Sequence, residues 1–446
     1  MSAMTAAPLA SYRDSLAQDS PEDSGTSQPW LDAHRREAMA SLRRLNFPQR
    51  REEAWRYTSV DRLLKHDFIP ARERELPGVD IDSLLLRKLD SYRAVFVNSR
   101  FAQALSSLDG LPAGVTVGSL REQIASNPIL PARWLGKAAG SPAHVFSALN
   151  TAAMDDGLFI HVARGIELER PIEVLHVTEA PADAIVAQPR CLLLLESGAQ
   201  ATLVERFTSP GSSLYFNNGL SEIFLLDGAS LEHYRLQEES PAAFHLHSLH
   251  VNQQEHSHYR NTGFALGGAW SRAELNIDFL GTAATAELDG LYVTGEQQLS
   301  DAHLDIRHGV PGCDSRTNYR GLLHGRGRAV FDGRIEVGAD AQKTNAHLHN
   351  ANLLLSRNAE VDAKPQLEIY ADDVRCSHGT TVGQLDPAQL FYLRSRGIET
   401  AEARRMLCLG FAGDVLDRCR ITPLRECIEA AVSRRLAQAP VEGQPS

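Results

Sequence analysis

The sequence contains no apolar run approaching the roughly 20 residues that cross a bilayer as a helix, so it predicts no membrane span. Its first residues have neither a basic start nor a continuous apolar stretch, which argues against a secretory signal. A net charge of −11, without a basic stripe interleaved with aromatic residues, argues against a nucleic-acid partner. The six cysteines form no CxxC pair and predict reduced thiols in a cytoplasmic protein; they are Cys191, Cys313, Cys376, Cys408, Cys419 and Cys427.

Motifs that bind phosphate or supply a nucleophile are also missing. No GxxxxGK[ST] stretch occurs, and Gly136-Lys137 lacks the second glycine and the hydroxyl that a phosphate cradle needs. The glycine-rich basic run at 324–328 lies between predicted strands with no helix following, which indicates a turn. No GxSxG motif signals a serine nucleophile. The sequence therefore predicts no ATP site and no catalytic residue in this chain.

The 446 residues divide into four segments by pattern. Residues 1–28 are rich in Ser, Asp, Pro and Gly and predict a disordered leader. Residues 29–165 predict a mostly helical domain with some strand, in which 81–89 and 119–126 have helical spacing and Trp55 and Tyr57 pack a helix onto its neighbour. Residues 166–385 show almost no helical periodicity, and residues 386–446 return to helices.

The long middle segment consists of short runs of β-formers separated by turn residues such as Gly198-Ala199 and Gly228-Ala229. A β-sandwich could hold perhaps half of these strands. A segment of this length that contains strands without crossover helices favours a coiled β-solenoid. With roughly 20–25 residues per turn, the region would form about nine turns, and the helical domains would cap its two ends.

The C-terminal segment has the clearest helix signals. Asp386 at an N-cap and Pro387 at the first helical position predict a helix start, and Gly397 predicts its end. Thr422-Pro423 predicts a last helix whose apolar residues form one stripe. The stripe contains Leu424, Cys427, Ile428, Ala431, Val432 and Leu436.

Histidines and aspartates cluster at several places, including the alternating run Asp301, His303 and Asp305. Residues i and i+2 of a strand share one face, so these three side chains could present metal ligands in a row. The alternation with Ala302, Leu304 and Ile306 is also what a polar outward face and an apolar inward face produce. We favour this structural interpretation, because a metal site also needs an ordered second shell.

Cys376 and His378 differ from those clusters, because they lie where the β region ends and the helices begin. A thiolate and an imidazole suit iron or zinc, but two ligands do not complete a tetrahedral site. The remaining ligands would have to come from elsewhere, and a second chain is one source. A turn histidine and an inert thiol remain the alternative interpretation.

Two stretches of the sequence resemble a known family. The run KPQLEIYADDV-x-CSHG-x-TVGQLD at 364–386, followed by LFYLRSRGI at 390–398, is similar to the SufD branch of the SufB/SufD family of iron–sulfur cluster assembly proteins. EEAWRYT at 52–58 is similar to the N-terminal motif of that family. The order of helical, β and helical segments agrees from about Trp30 to Leu436, and the sequence around CSHG distinguishes this chain from SufB.

This resemblance implies a right-handed parallel β-helix between two helical domains and a non-catalytic scaffold role. It implies a SufB heterodimer through the C-terminal part of the β-helix and docking of the ATPase SufC on helices 386–436. ATP-driven movement of SufC would then reach a nascent, transient iron–sulfur cluster at the junction with SufB. His378 is the preferred iron or cluster ligand of this chain, and Cys376 is a less certain companion.

Two other functions compete with this one. A β-helix enzyme acting on polysaccharide is possible with Asp301, Asp305, Asp372 and Asp373, but such enzymes are usually exported. A left-handed acyltransferase solenoid needs hexapeptide repeats, which the sequence does not contain. The sequence leaves open whether a homodimer forms without SufB, which residues first bind iron, whether a flavin or other reductant docks, and what residues 1–28 do.

Overall fold

The computed structural model describes residues 7–18, 28–71, 81–142, 144–180 and 183–437. It is mainly β, with a solenoid of about eight coils between N-terminal and C-terminal helices. Each coil contributes one strand to a 12-stranded sheet, sheet one, and one strand to a 10-stranded sheet, sheet two. The predicted β-solenoid flanked by helices is therefore confirmed, whereas its right-handedness stays a prediction.

The strands are β1 (Ala7–Pro8), β2 (Asp67–Pro70), β3 (Tyr92–Val97), β4 (Arg100–Phe101), β5 (Val115–Ser119), β6 (Leu158–Val162), β7 (Ile172–Val177), β8 (Ile185–Ala187), β9 (Arg190–Leu195), β10 (Gln200–Thr208), β11 (Tyr215–Leu225), β12 (Ser230–Glu238), β13 (Phe244–Gln253), β14 (His258–Ala265), β15 (Trp270–Phe279), β16 (Thr285–Thr294), β17 (Leu299–His308), β18 (Asp314–Leu323), β19 (Arg328–Val337), β20 (Asn345–Leu354), β21 (Glu360–Ile369) and β22 (Arg375–Gly383). The helices are α1 (Leu9–Gln18), α2 (Pro29–Leu42), α3 (Leu120–Ser126), α4 (Ile129–Trp134), α5 (Val145–Ala153), α6 (Pro387–Ser395), α7 (Thr400–Leu416) and α8 (Thr422–Ala437).

Parallel pairing between successive coils sets the register of the solenoid. Sheet one runs β1-β2-β8-β11-β13-β15-β17-β19-β21, with β9, β6 and β5 branching from β11, and sheet two runs β22-β20-β18-β16-β14-β12-β10-β7-β3-β4. Ser230 pairs with His258 in the next coil, and Asp314 pairs with Asn345. The separation of these partners along the chain exceeds the predicted length of a turn, so that prediction is wrong. The reason is that a typical coil contains two strands of 10 residues and two turns.

The Gly-Ala pairs form corners of the coils, as their turn signal predicts. Gly198 and Gly228 have φ of +72° and +68°, a left-handed conformation that glycine adopts without a steric penalty. Ala199 and Ala229, the residues after them, are completely buried. Each corner thus combines a turn residue with a small side chain that fits inside the coil.

A ladder of aliphatic side chains inside sheet one contributes to the main core. Its members pair in register through six coils and are Leu193, Ile223, Val251, Ile277, Ile306 and Ile335, followed by Leu367 at the end. Burying each such side chain contributes roughly 1.5–3 kcal/mol. Stacked coils therefore stabilise one another, and a coil at the end of the stack leaves one side of its core uncovered.

The N-terminal region differs from the prediction in three places. Residues 7–18 form β1 and α1, and Leu9 and Tyr12 are buried against the N-terminal helices, so the predicted disorder is wrong there. The rest of the predicted leader, apart from residue 28, lies outside the described residues. Residues 81–89 form turns rather than a helix. The domain is also less helical than predicted, because strands such as β3 and β6 extend the two sheets of the solenoid.

The C-terminal helices agree with their sequence signals. An Asp386 side-chain oxygen accepts a hydrogen bond from the amide of Ala388 at 2.8 Å, and Gly397 has a φ of +84° after α6. Helices α7 and α8 pack on the outer face of sheet two, where the predicted stripe is buried apart from half-buried Cys427. Within the described residues, no helix combines the length and the apolarity that a membrane crossing requires.

Candidate functional site

The last coil presents two strand edges that no other described strand covers. We call β21 and β22 together the open end: β21 pairs only with β19, and β22 pairs only with β20. Most side chains of β22 are exposed, and Val382 is 50% exposed. An edge of this length offers unpaired N–H and C=O groups to another strand. The open end can therefore accept a further coil or a strand from a partner.

Cys376 and His378 lie on the inward side of β22. In the register of the sheet, Cys376 pairs with Ala346 and His378 pairs with Leu348, both of which are buried in the main core. Cys376 packs against that core, and its partial burial raises the pKa of its thiol. His378 is exposed because no described coil lies above it. The two side chains therefore occupy the positions that a following coil would cover.

The opposite side of β22 is held by polar contacts. Ser377, which points outward between the two candidate ligands, has its hydroxyl 2.6 Å from Nδ1 of His347 on β20. Nε2 of His347 is in turn 3.0 Å from the side-chain oxygen of Asn345. These contacts fix the strand that carries Cys376 and His378.

A chain of side chains connects this strand region with the tail helices, and sequence reasoning missed it. Arg320 on β18 forms an ion pair with Asp414 of α7, and its guanidinium lies 5.3 Å from the ring centroid of Phe411. The other arm of Arg320 donates to Nε2 of His349 at 3.2 Å. His349 pairs in register with Gly379, the residue after His378. No spacing in the sequence indicates this link, because its members come from three separate elements.

The run Asp301, His303 and Asp305 has the predicted alternation, and Ala302, Leu304 and Ile306, which alternate with these residues, belong to the core. Asp301 accepts hydrogen bonds from Thr58 and Arg272. Asp305 accepts hydrogen bonds from Arg307 and Arg334. These carboxylates are partners in structural ion pairs, which weakens the case for a polysaccharide-cleaving acid and base. Among the described residues, no three His, Cys, Asp or Glu side chains are arranged to hold a metal ion.

The N-terminal motif at 52–58 docks on the outer face of sheet one. Trp55 is buried, as predicted, whereas Tyr57, which was predicted to pack with it, is only half-buried. The Arg272 guanidinium lies 4.0 Å from the ring centroid of Trp55. Arg272 also donates to the carbonyl of Ala54 at 3.0 Å and pairs with Glu274 and Asp301. At the open end, Lys364 of β21 contacts Glu53 of the same motif at 2.6 Å. The motif therefore packs against the solenoid close to its last coil and stabilises it there.

The chain matches two family profiles that together cover most of its length. One describes the SufBD core domain of the SUF system of FeS cluster assembly and matches residues 176–411. The other describes the SufBD protein N-terminal region and matches residues 10–174.

Similar proteins include an iron–sulfur cluster assembly SufBD family protein of Synechocystis, 34% identical over 92% of this chain and 92% of that protein. The iron–sulfur cluster assembly protein SufD of Escherichia coli is 33% identical over 89% of this chain and 91% of that protein. The chloroplastic protein ABCI7 of Arabidopsis thaliana is 29% identical over 90% of this chain and 85% of that protein.

Proposed function

Because the chain belongs to the SufBD family of iron–sulfur cluster assembly proteins, we propose that it is a cytoplasmic, non-catalytic scaffold subunit that pairs with SufB and binds the ATPase SufC. The observation that carries this proposal is the open end. It presents one thiol and one imidazole at positions that none of the described elements covers. An incomplete set of ligands in this chain is expected of a subunit whose partner supplies the remaining ligands.

SufB is the proposed partner at the open end. A solenoid of the same kind would continue the two sheets and cover the uncovered side of the last coil. Ile369 and Tyr370, at the end of β21 and just after it, are 39% and 65% exposed, and together with Val382 they add apolar surface to the unpaired edges. Apolar surface next to free backbone donors and acceptors is suited to β-augmentation by a partner. In this arrangement the nascent cluster is the cargo, and His378, with Cys376 as companion, binds it from this side.

SufC is the proposed partner of the C-terminal helices. Helix α6 buries none of its residues against the rest of the described chain, and Phe391 and Tyr392 on it are 71% and 56% exposed. Met406 on α7 is 42% exposed. Aromatic and methionine side chains are enriched in the cores of protein interfaces. Hydrolysis of ATP takes place in SufC, and the contact from Asp414 through Arg320 to His349 is the proposed route by which its movement reaches β22.

Anaerobic co-purification tests this function. The tagged chain, isolated from its own cell extract, is expected to bring an ABC-type ATPase and a SufB-like chain with it, together with bound iron and sulfide. Recovery of the folded chain without either protein would contradict the assembly. Light scattering on the isolated chain then decides whether it forms a homodimer when SufB is absent.

A matched pair of variants tests the site. His378→Ala should abolish cluster formation by the complete complex while leaving folding unchanged, because the side chain is exposed and has no coil above it. Thr381→Ala, on the outward side of the same strand and exposed, is the matched control and should retain cluster formation. Normal cluster assembly by the His378→Ala complex would contradict the role of this histidine.

A further inference from the structure

The interior of the solenoid contains a cavity that neither the open end nor the tail helices explain. Its volume is about 70 Å³, and it lies between the inward sides of sheets one and two. Since about 10–15 Å³ of such space suffices for one water molecule, it has room for a small ion and a few waters. A nucleotide-sized ligand does not fit.

The cavity exists because glycine interrupts a column of large inward residues in sheet two. Arg235 on β12 pairs in register with Gly263 on β14, and Gly263 pairs with Gly290 on β16. The space above Gly290 is filled by the ring of Tyr319, which a Cβ there would meet at 2.2 Å. A Cβ on Gly263 would find no atom closer than 3.9 Å. The missing side chain at Gly263 therefore leaves the space open.

Hydrogen-bond donors without partners line this space. Arg235 is 8% exposed, and its Nε donates to Glu205 at 3.0 Å, but its two Nη atoms have no hydrogen-bond partner among the described residues. Tyr319, Ser271 and Ser300 line the same cavity, and their hydroxyl groups also have no hydrogen-bond partner within the described parts of the chain. One guanidinium-bearing and three hydroxyl-bearing side chains thus line one small space.

Arg235 is the cation that lies beside the donor side of the cavity, and Glu205 is its ion-pair partner. Glu205, which balances Arg235, lies one coil below and is also contacted by His176 at 3.1 Å and His233 at 3.4 Å. The other titratable side chains of the described lining also have partners: Asp301 pairs with Arg272, and Nδ1 of His245 lies 2.7 Å from a carboxylate oxygen of Glu239. No unpaired carboxylate of the described lining therefore opposes an anion.

We infer that this cavity is a binding site for one small monovalent anion. Most of its lining is apolar, including Phe207, Leu275, Ala273 and Ala302. A doubly charged anion would lose far more hydration energy in such a space than one guanidinium and a few hydroxyls replace. Chloride and hydrosulfide share the chemistry that fits. The inference does not rest on the proposed scaffold function, and its test uses the isolated chain.

Crystals of the full chain grown in bromide test the site directly. An anomalous bromide peak is expected beside Arg235, and it should disappear in Gly263→Val, which fills the space without removing a donor. Gly263→Ala serves as a second, milder variant, with reduced bromide occupancy expected. Ordered waters and no bromide in crystals of the unchanged chain would overturn the inference. To distinguish the two anions, crystals are grown in bromide with added chloride, and separately, under anaerobic conditions, with added hydrosulfide. The anion that binds the site more tightly displaces bromide and removes the anomalous peak.

Thermal unfolding provides a readout in solution. Replacing gluconate, which is too large for the cavity, by bromide at constant ionic strength should raise the unfolding midpoint of the unchanged chain. The increase should be absent in Gly263→Val. It should be reduced in Arg235→Lys, which keeps the positive charge but removes the two Nη donors of the guanidinium. Equal increases in all three proteins would show that bromide acts elsewhere and would overturn the inference.

Discussion

Substitution of Glu222 on β11 tests how the N-terminal region is attached to the solenoid. Its carboxylate is completely buried and pairs with the equally buried guanidinium of Arg190 on β9. It also accepts hydrogen bonds from three backbone amides that follow α4, those of Gly136 at 2.8 Å, Ala138 at 3.0 Å and Ala139 at 3.1 Å. One carboxylate thus joins two coils and a loop of the N-terminal domain.

The substitution Glu222→Gln keeps the shape and removes the charge. Arg190 then remains buried without its counter-charge, and breaking a buried pair in this way costs roughly 3–5 kcal/mol. The free energy of unfolding from a urea titration should fall by that amount at neutral pH. Glu429→Gln is the matched control, because its ion pair with Arg425 on the surface of α8 contributes about 0.3–0.5 kcal/mol.

The effect should depend on pH with a defined sign. Burial alone would raise the pKa of Glu222, but Arg190 and the amide donors outweigh it and lower that pKa below its ordinary value of 4.5. A carboxyl with a lowered pKa in the folded state stabilises the fold fully above its unfolded pKa and loses that contribution as the pH falls through its folded pKa. The difference between the unchanged chain and Glu222→Gln should therefore be full at pH 7 and shrink below about pH 4.5. Equal, small losses in Glu222→Gln and Glu429→Gln at pH 7 would refute this reasoning.

Three further predictions concern the core, the link to the tail and the surface. Ile306→Ala removes a fully buried member of the aliphatic ladder and should cost ~2–5 kcal/mol in a urea titration, whereas Ile129→Ala, at a side chain 73% exposed, should change stability by no more than about 0.5 kcal/mol. Arg320→Met should loosen the strand next to the candidate ligands, seen as faster amide hydrogen exchange in residues 375–383; unchanged exchange would contradict the link. Phe391→Ser should weaken binding of the proposed ATPase partner with an unchanged unfolding midpoint, because this side chain is 71% exposed; a lower midpoint would assign it to the fold instead.

Sequence motifs correctly predicted the helix starts and turns that depend only on residues close together in the chain. Asp386 and Pro387 begin α6 for a local reason. The Asp386 side chain accepts a hydrogen bond from a backbone amide of the first turn, and Pro387 has no N–H group that would need an acceptor. Gly198 and Gly228 form corners because these corners need a left-handed backbone conformation, which residues with a side chain rarely adopt. The inward and outward alternation around Asp301 follows from the two-residue period of a strand. Each of these features depends on neighbours in the chain.

Features that depend on distant residues were missed or predicted incorrectly. Residues 7–18 belong to an N-terminal segment rich in Ser, Asp, Pro and Gly, and Leu9 and Tyr12 are buried there because they pack against the apolar surface of the N-terminal helices. The coil length was underestimated because nothing local fixes where the next strand begins. The links from Arg320 to Asp414 and from Glu222 to the loop after α4 join residues 94 and 83–86 positions apart.

The sequence by itself determined that the chain is a β-solenoid between helices and that Cys376 and His378 stand close together at its end. These properties follow from strand period, turn residues and caps, which act over a few residues. The tertiary structure decided which side of β22 carries the pair and that no described coil covers it. It also decided that Gly263 leaves a donor-lined space inside the solenoid. Register between coils is a long-range property, so the inward neighbours of a residue emerge only when strands from successive coils are placed side by side.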